Sequence, residues 1–278
     1  MRTMTITAVT AGLLVALSGM TAAGEPVESP DDGLSVFPLA PSMEESSPQT
    51  YRLEYDVFTR DIVGSMLNSV HVTGNYHRNP ADGRMRWSGV EIAGSADDGA
   101  RPAAGAPLGA MEGFEYGLGM EMVEEATFER FENEDLRHVV KTMVWDAAWI
   151  EAFALLRDTF KDLKPNQFVR IDEYQDFDVR MGEWGSLRMR DLQMKWTGIS
   201  KMHGERCAVV FYQSFSNPVD GGAIRGRSCY WGQFWLSSVD GDIEYLTFNE
   251  DVILEMPVGP ETTTVLNMQR EARFEKTL

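Results

Sequence analysis

Alternating apolar and polar positions run through most of the chain from Tyr51 onward. Tyr51, Leu53, Tyr55 and Val57 alternate with charged residues, which is the period of a β-strand with one buried face. Turn residues such as Asn, Pro, Asp and Gly separate several of these runs. The pattern predicts strands at 51–57, 67–76, 84–92, 139–145, 167–171, 187–199, 206–215, 228–239, 242–255 and 263–274.

A different period appears once, at 146–164. Six apolar residues recur there at spacings of three and four, as on one face of a helix: Trp149, Ile150, Phe153, Leu156, Phe160 and Leu163. Asp146 is a suitable N-cap, and Pro165 forbids continuation of the helix. Many strands with one helix predict a mostly β fold, a curved antiparallel meander forming a half-barrel or a barrel, covered by this amphipathic helix.

The segment VDGD between the last long strands predicts a β-hairpin with a two-residue Asp240-Gly241 turn. In that register Trp235 lies opposite Leu246, and Trp231 lies opposite Glu250. Both faces of the hairpin are then apolar, so something must cover each of them. We expect the helix to cover one face, and either another part of the domain or a cavity for an apolar ligand to cover the other.

A glycine stands inside this hairpin, at Gly232. Glycine within a strand is typical of a bulge or of a close approach by another backbone or a ligand. The two-residue turn places Gly232 opposite Asn249.

The first 50 residues differ from the rest in composition. Residues 1–23 combine Arg2, an apolar run and small residues before an acidic stretch, the layout of a cleavable signal peptide. Residues 24–50 are rich in Pro, Ser and acid and predict a flexible leader, followed by one β-rich domain at 51–278 with a mobile loop at 93–111. We therefore expect a periplasmic or secreted protein without an integral membrane span after cleavage.

Charge and cysteine content narrow the possible partners. The formal net charge is −18, which disfavours nucleic acid because phosphate binding needs clustered Lys and Arg. The chain has two cysteines, Cys207 and Cys229, and an oxidising compartment favours a disulfide between them.

Signals for catalysis or for a cofactor are weak. The histidines His71, His77, His138 and His203 lack chelating spacing, and no hydrolase, metalloprotease or phosphate-loop motif is present, so the sequence predicts no cofactor and no metal site. The acidic run at 172–178 is interpreted as solvated loop charge. Glu250, placed on an apolar face, is interpreted as the partner of an arginine from a neighbouring strand, with a catalytic or ligand-contacting role as the alternative.

The predicted architecture resembles periplasmic lipoprotein carriers of the half-barrel type. The segments WDAAWIEAF and RSCYWGQFWLSSVDGDIEYLTFNEDV also resemble uncharacterised exported bacterial proteins. The resemblance implies a half-barrel fold and an exported protein, and it transfers no individual residue.

The first functional hypothesis is a non-catalytic binding protein that holds a lipid or another apolar molecule between sheet and helix. Its candidate ligand-binding residues are Trp149, Phe153, Phe160, Trp231, Trp235 and Glu250. One alternative is a structural or protein-interaction domain with a filled core and an exposed aromatic patch. A second alternative is a hydrolase that acts through acidic residues such as Glu250 and Asp172.

Overall fold

Strand-forming alternation produces one large antiparallel sheet in the computed structural model of the protein. The structure describes residues 48–79, 81–95, 105–117, 121, 124–155, 163–171, 177–180, 186–221, 224–259 and 262–277. The predicted signal peptide, nearly all of the leader and the acidic residues 172–176 lie outside these ranges, as do 96–104 of the predicted loop and 156–162 of the predicted helix.

Within the described ranges the sheet contains thirteen strands. Their bounds are β1 Gln49–Asp61, β2 Met66–Asn79, β3 Arg84–Ser95, β4 Ala106–Pro107, β5 Glu115–Gly117, β6 Phe168–Arg170, β7 Phe177–Arg180, β8 Ser186–Met189, β9 Gln193–Met202, β10 Glu205–Asp220, β11 Arg225–Ser237, β12 Ile243–Gly259 and β13 Thr262–Lys276. The order across the sheet is β4-β3-β2-β1-β13-β12-β11-β10-β8-β7, with β5 beside β3, β9 beside β10 and β6 beside β9. Among the described strands the sheet runs from β4 to β7 without closing, so the open form of the predicted meander is confirmed.

The two faces of the sheet differ in how deeply their side chains are buried. One face, called the inner face, carries buried side chains such as Leu53, Tyr212 and Phe248. The opposite, outer face carries Trp231 and Trp235, which are half-buried. Neighbouring residues of a strand point to opposite faces. The burial pattern of each strand therefore shows which of its side chains lie on the inner face and which lie on the outer face.

In the part of the chain that the structure describes, three helical segments accompany the sheet. They are a 3-10 turn at Gly109–Met111, α1 at Glu125–Phe128 and α2 at Glu134–Leu155. Helix α2 lies against the inner face through a stripe of buried residues at helical spacing: Val140, Met143, Val144, Ala147 and Ile150.

The predicted start of the helix at Asp146 is wrong. Helix α2 begins twelve residues earlier, at Glu134, where the side chain of Asn133 accepts a hydrogen bond from the Leu136 N–H at 2.9 Å, as an N-cap does. The predicted strand at 139–145 is therefore part of the helix. Asp146 lies within α2 and is buried, so its carboxylate is engaged with the sheet instead of with the helix terminus.

The predicted loop at 93–111 contains regular structure at both ends. Strand β3 continues to Ser95, and Ala106–Pro107 pairs with β3 as β4. The 3-10 turn then places Met111 in the core.

The predicted register of the β11–β12 hairpin is wrong by one residue. Trp235 lies opposite Tyr245, and Glu250 lies opposite Tyr230. The connection is longer than a two-residue turn: the Ser237 N–H donates to the Asp242 carbonyl at 2.8 Å, and a bulge separates Trp235 from Leu236. A shift of one residue exchanges the faces, so Glu250 is on the inner face while Trp231 is on the outer face.

The predicted Cys207–Cys229 disulfide is also wrong, since both cysteines are free. Cys207 lies opposite Ser237 in the β10–β11 pair, and Ser237 is eight positions from Cys229 along β11. That separation is about 26 Å along a strand, far beyond the Cα distance of roughly 4.4–6.8 Å that a disulfide spans.

Candidate functional site

A buried cluster of charged side chains lies where α2 contacts the middle of the sheet. Arg270 of β13 donates through Nε to Glu250 Oε2 at 2.6 Å, and its Nη1 contacts Asp146 Oδ2 of α2 at 3.0 Å. Ser228 donates a short hydrogen bond to Glu250, and Tyr55 lies 3.5 Å from Nη1. The predicted pairing of Glu250 with an arginine from a neighbouring strand is confirmed, and a second carboxylate from the helix shares the same guanidinium.

Burial dominates the electrostatics of this cluster. Removal from water raises the pKa of Asp146 to about 7, against the lowering effect of the Arg270 charge and with a further increase from Glu250. Burial also raises the pKa of Tyr55 above its ordinary value. The two carboxylates and one guanidinium together hold α2 on the sheet.

We expect this cluster to make stability fall as pH rises from about 4 to about 7. The pKa of Asp146 is higher in the folded state, about 7, than in the unfolded chain, so the folded state binds the proton more tightly over this interval. The slope is at most about 1.4 kcal/mol for each pH unit. Urea unfolding of the wild type and of Asp146→Asn at several pH values measures this slope. A wild-type slope that persists unchanged in Asp146→Asn would assign the pH dependence to other groups.

A second buried ion pair fixes the helix closer to its end. Arg78 of β2 binds Glu151 of α2 through Nε–Oε1 at 2.6 Å and Nη2–Oε2 at 2.7 Å. Its Nη1 donates to Gln49 Oε1 at 2.6 Å. Two acidic residues on one helix therefore each meet an arginine from a different strand.

Trp149 fills the space between α2 and the sheet beside these ion pairs. Its ring centroid lies 5.3 Å from that of Tyr230, 6.1 Å from that of Tyr212 and 6.3 Å from that of Phe248. Such ring separations are those of packed aromatic side chains. The inner face at Trp149 is thus occupied by the protein's own core.

Beyond this packed region, a separate apolar cluster lies at the far end of the same face. We call it the end cluster: Val219, Ile224, Val252, Leu254, Met256 and Met268. Val219, Val252 and Leu254 are buried, whereas Ile224, Met256 and Met268 are half-buried. The inner face therefore remains apolar to the end of the strands.

The outer face is divided into an aromatic part and a charged part. Across β6 and β9 to β12 it carries aromatic contacts, with Trp235 and Tyr245 edge to face at 4.9 Å and Lys195 over the Phe168 ring at 4.8 Å. Across β13, β1 and β2 it carries charged residues such as Arg273, Glu54 and Asp56. We call the aromatic part the outer aromatic surface: Phe168, Phe211, Trp231, Trp235 and Tyr245.

The structure separates the residues that the sequence grouped as one candidate site. Trp149 and Glu250 lie at the helix–sheet contact, whereas Trp231 and Trp235 lie on the other side of the sheet. The side chains of Phe153 and Phe160 lie outside the described residues. The end cluster was missed by the sequence reasoning, although the alternation of Val252, Leu254 and Met256 is its signal.

A group of acidic residues near the β11–β12 connection was also not predicted. Carboxylate oxygens of Glu205, Asp240 and Glu244 lie within 4.8 Å of one another. Lys276 Nζ contacts Glu244 at 2.6 Å, and Ser237 donates to Glu205 at 2.9 Å. Asp240 Oδ2 lies 3.8 Å from the same Lys276 Nζ, so each of the three carboxylates has a partner within the protein.

None of the helices in the described ranges is long and apolar enough to cross a bilayer.

Comparisons with known proteins give only distant structural likenesses. No family model matches the chain, and no curated protein matches it significantly. A lipovitellin structure concerned with lipid–protein interactions aligns at a TM-score of 0.40 and 11% identity, covering 84% of this chain. This chain spans about a quarter of the lipovitellin chain, 26%.

An acetoacetate decarboxylase-like enzyme from Sphingomonas wittichii RW1 aligns at a TM-score of 0.15 and 10% identity, covering 85% of this chain and 95% of the enzyme. At these TM-scores neither structure indicates a function for this chain, and the resemblance to exported carriers stays a prediction.

Proposed function

We propose that this chain is an exported binding protein that holds a lipid or another apolar molecule against the end cluster of the inner face. The observation that carries the proposal is the half-buried state of Ile224, Met256 and Met268 beside three buried aliphatic residues. The end cluster replaces the ligand position that the sequence predicted between Trp149 and the sheet, since aromatic side chains fill that position.

The composition of the end cluster suits an apolar ligand. Methionine side chains are flexible and polarisable, so they adapt to ligands of varied shape. The cluster extends from β10 to β13, a width of about 14 Å at ordinary strand spacing. An acyl chain that covers aliphatic surface of this extent removes it from water, and this burial favours binding.

Binding of a fluorescent fatty acid tests the proposal. We expect the wild type to bind the probe saturably, and we expect Met256→Glu to raise the Kd about tenfold or more because a charge enters the apolar surface. Native mass spectrometry before and after solvent extraction reports any ligand that the protein retains on purification.

Ile253→Glu is the matched control for this substitution. Ile253 is on the outer face of the same strand and is 54% exposed, so the same charge there leaves the Kd unchanged. A wild type that takes up no probe and purifies without an apolar adduct would remove the proposal.

A second candidate function is a protein-interaction domain with a filled core. The outer aromatic surface favours it, since aromatic residues are enriched in protein interfaces and Phe168 is 47% exposed. Sedimentation velocity of the wild type and of Trp235→Ser tests whether this surface joins two copies. Association that is lost in Trp235→Ser supports this candidate, and a monomer at all concentrations counts against it.

A further inference from the structure

The turn between β1 and β2 exposes large aliphatic side chains where turns ordinarily carry small polar residues. Ile62 is 71% exposed and Val63 is 81% exposed, and Leu67 at the start of β2 is 44% exposed. We call these three residues the hairpin tip. Single exposed apolar residues are common on proteins, but the hairpin tip places two adjacent ones at the outermost point of a long hairpin.

Hydrogen bonds hold the turn in one conformation. The Asp61 side chain accepts from the N–H groups of Val63 at 3.0 Å and Ser65 at 2.8 Å. The Asp61 N–H donates to the Ser65 carbonyl, and the Gly64 N–H donates to the Asp61 carbonyl, both at 3.0 Å. Gly64 has φ of 90°, a conformation that favours glycine. The turn therefore presents Ile62 and Val63 outward without losing backbone order.

Strand register places the hairpin tip at the same end of the sheet as the end cluster. Asp61 lies opposite Leu266 of β13, Leu266 lies opposite Leu254 of β12, and Val219 of β10 lies in the same row through Gly226. Asp61, which directly precedes Ile62 of the hairpin tip, is thus two strands, or about 10 Å, from Leu254. The exposed aliphatic residues and the half-buried inner-face residues lie at one end of the protein.

We propose that the hairpin tip inserts into the surface of a lipid bilayer with uncharged or zwitterionic headgroups, and that this contact brings the end cluster to the membrane for ligand exchange. Exposed aliphatic side chains on a turn can enter a deformable lipid surface, which needs no complementary pocket. The formal net charge of −18 disfavours anionic membranes. The exchange step rests on the proposed function, whereas the bilayer contact rests on the hairpin tip alone.

Vesicle flotation tests the bilayer contact. We expect the full chain to float with phosphatidylcholine vesicles, to float less when phosphatidylserine is added, and to retain binding in 0.5 M salt because the contact is apolar. We expect the double variant Ile62→Ser, Val63→Ser to reduce the partition coefficient at least tenfold. Val239→Ser, which changes a 76% exposed aliphatic residue in the β11–β12 connection at the other end of the sheet, serves as the control and keeps wild-type binding.

Parallel titration with the fluorescent fatty acid separates the two proposals. Loss of vesicle binding in the double variant, with the fatty-acid Kd unchanged, supports the hairpin tip as the membrane contact. Equal vesicle binding by wild type and double variant, or no binding by the wild type, overturns it even when the fatty acid binds. Vesicle binding through the hairpin tip by a protein that takes up no fatty acid supports the bilayer contact and overturns the exchange step.

Discussion

Replacing Arg270 with methionine is expected to lower the free energy of unfolding by about 3–5 kcal/mol at neutral pH. Removing one partner of a buried ion pair leaves an uncompensated buried charge, and losses of this size follow. Here the guanidinium serves two carboxylates, Glu250 from β12 and Asp146 from α2, and both are buried. Urea unfolding followed by tryptophan fluorescence measures the change.

Arg273→Met is the matched control in the same strand. Arg273 is on the outer face, its side chain is 50% exposed, and its contacts with Glu54 and Glu271 are 3.8 Å and 3.7 Å long. Exposed pairs of this kind contribute roughly 0–1 kcal/mol. If the two variants lose equal stability, the buried cluster does not hold α2 on the sheet.

The periodicity of the chain was sufficient to predict the sheet. Alternation at Tyr51, Leu53 and Tyr55 corresponds to buried residues of β1, and the absence of repeated helical periods excluded a parallel α/β fold. The first inference rests on the two-residue period of a strand and the second on the scarcity of helical periods, and both are local properties of the sequence.

Boundaries and register depended on contacts that the local pattern does not contain. Aspartate is common at helix N-caps, yet Asn133 caps this helix. Asp146 instead pairs with Arg270, which is more than a hundred residues away in the sequence. The bulge at Trp235 moved the hairpin register by one residue. A single unpredicted bulge therefore reversed the face assigned to Glu250.

The candidate site was predictable only in part for the same reason. The cost of a buried carboxylate was enough to predict an arginine partner for Glu250, because burying an unpaired charge is unfavourable. The end cluster combines Val219, Val252 and Met268 from three strands, and only the sheet order brings them together. The hairpin tip was not predicted, because the exposure of Ile62 and Val63 depends on where the hairpin ends.

The glycine within the predicted hairpin has a specific structural cause. A Cβ at Gly232 would lie 1.9 Å from the Thr247 carbonyl oxygen and 2.5 Å from the Tyr212 hydroxyl. Tyr212 reaches across the glycine to donate a 2.8 Å hydrogen bond to that carbonyl. The predicted close approach is therefore made by the protein itself, and Gly232 lies opposite Phe248 instead of Asn249.

We expect Gly232→Ala to lower the free energy of unfolding by about 3 kcal/mol or more, at the upper end of overpacking effects. Gly109→Ala is the control, because a Cβ there meets no atom within 4 Å, and its effect stays within about 0.5 kcal/mol. Urea unfolding of both variants measures the difference.

Combining Gly232→Ala with Tyr212→Phe identifies which neighbour causes the loss. A side chain can move away from the new methyl group, whereas the Thr247 carbonyl belongs to the hydrogen-bonded backbone of β12, between Leu246 and Phe248 of the core. The double variant should therefore recover little of the stability lost in Gly232→Ala. Full recovery would instead show that the Tyr212 hydroxyl alone excludes a side chain at this position, and that the β11–β12 backbone pair has room to adjust.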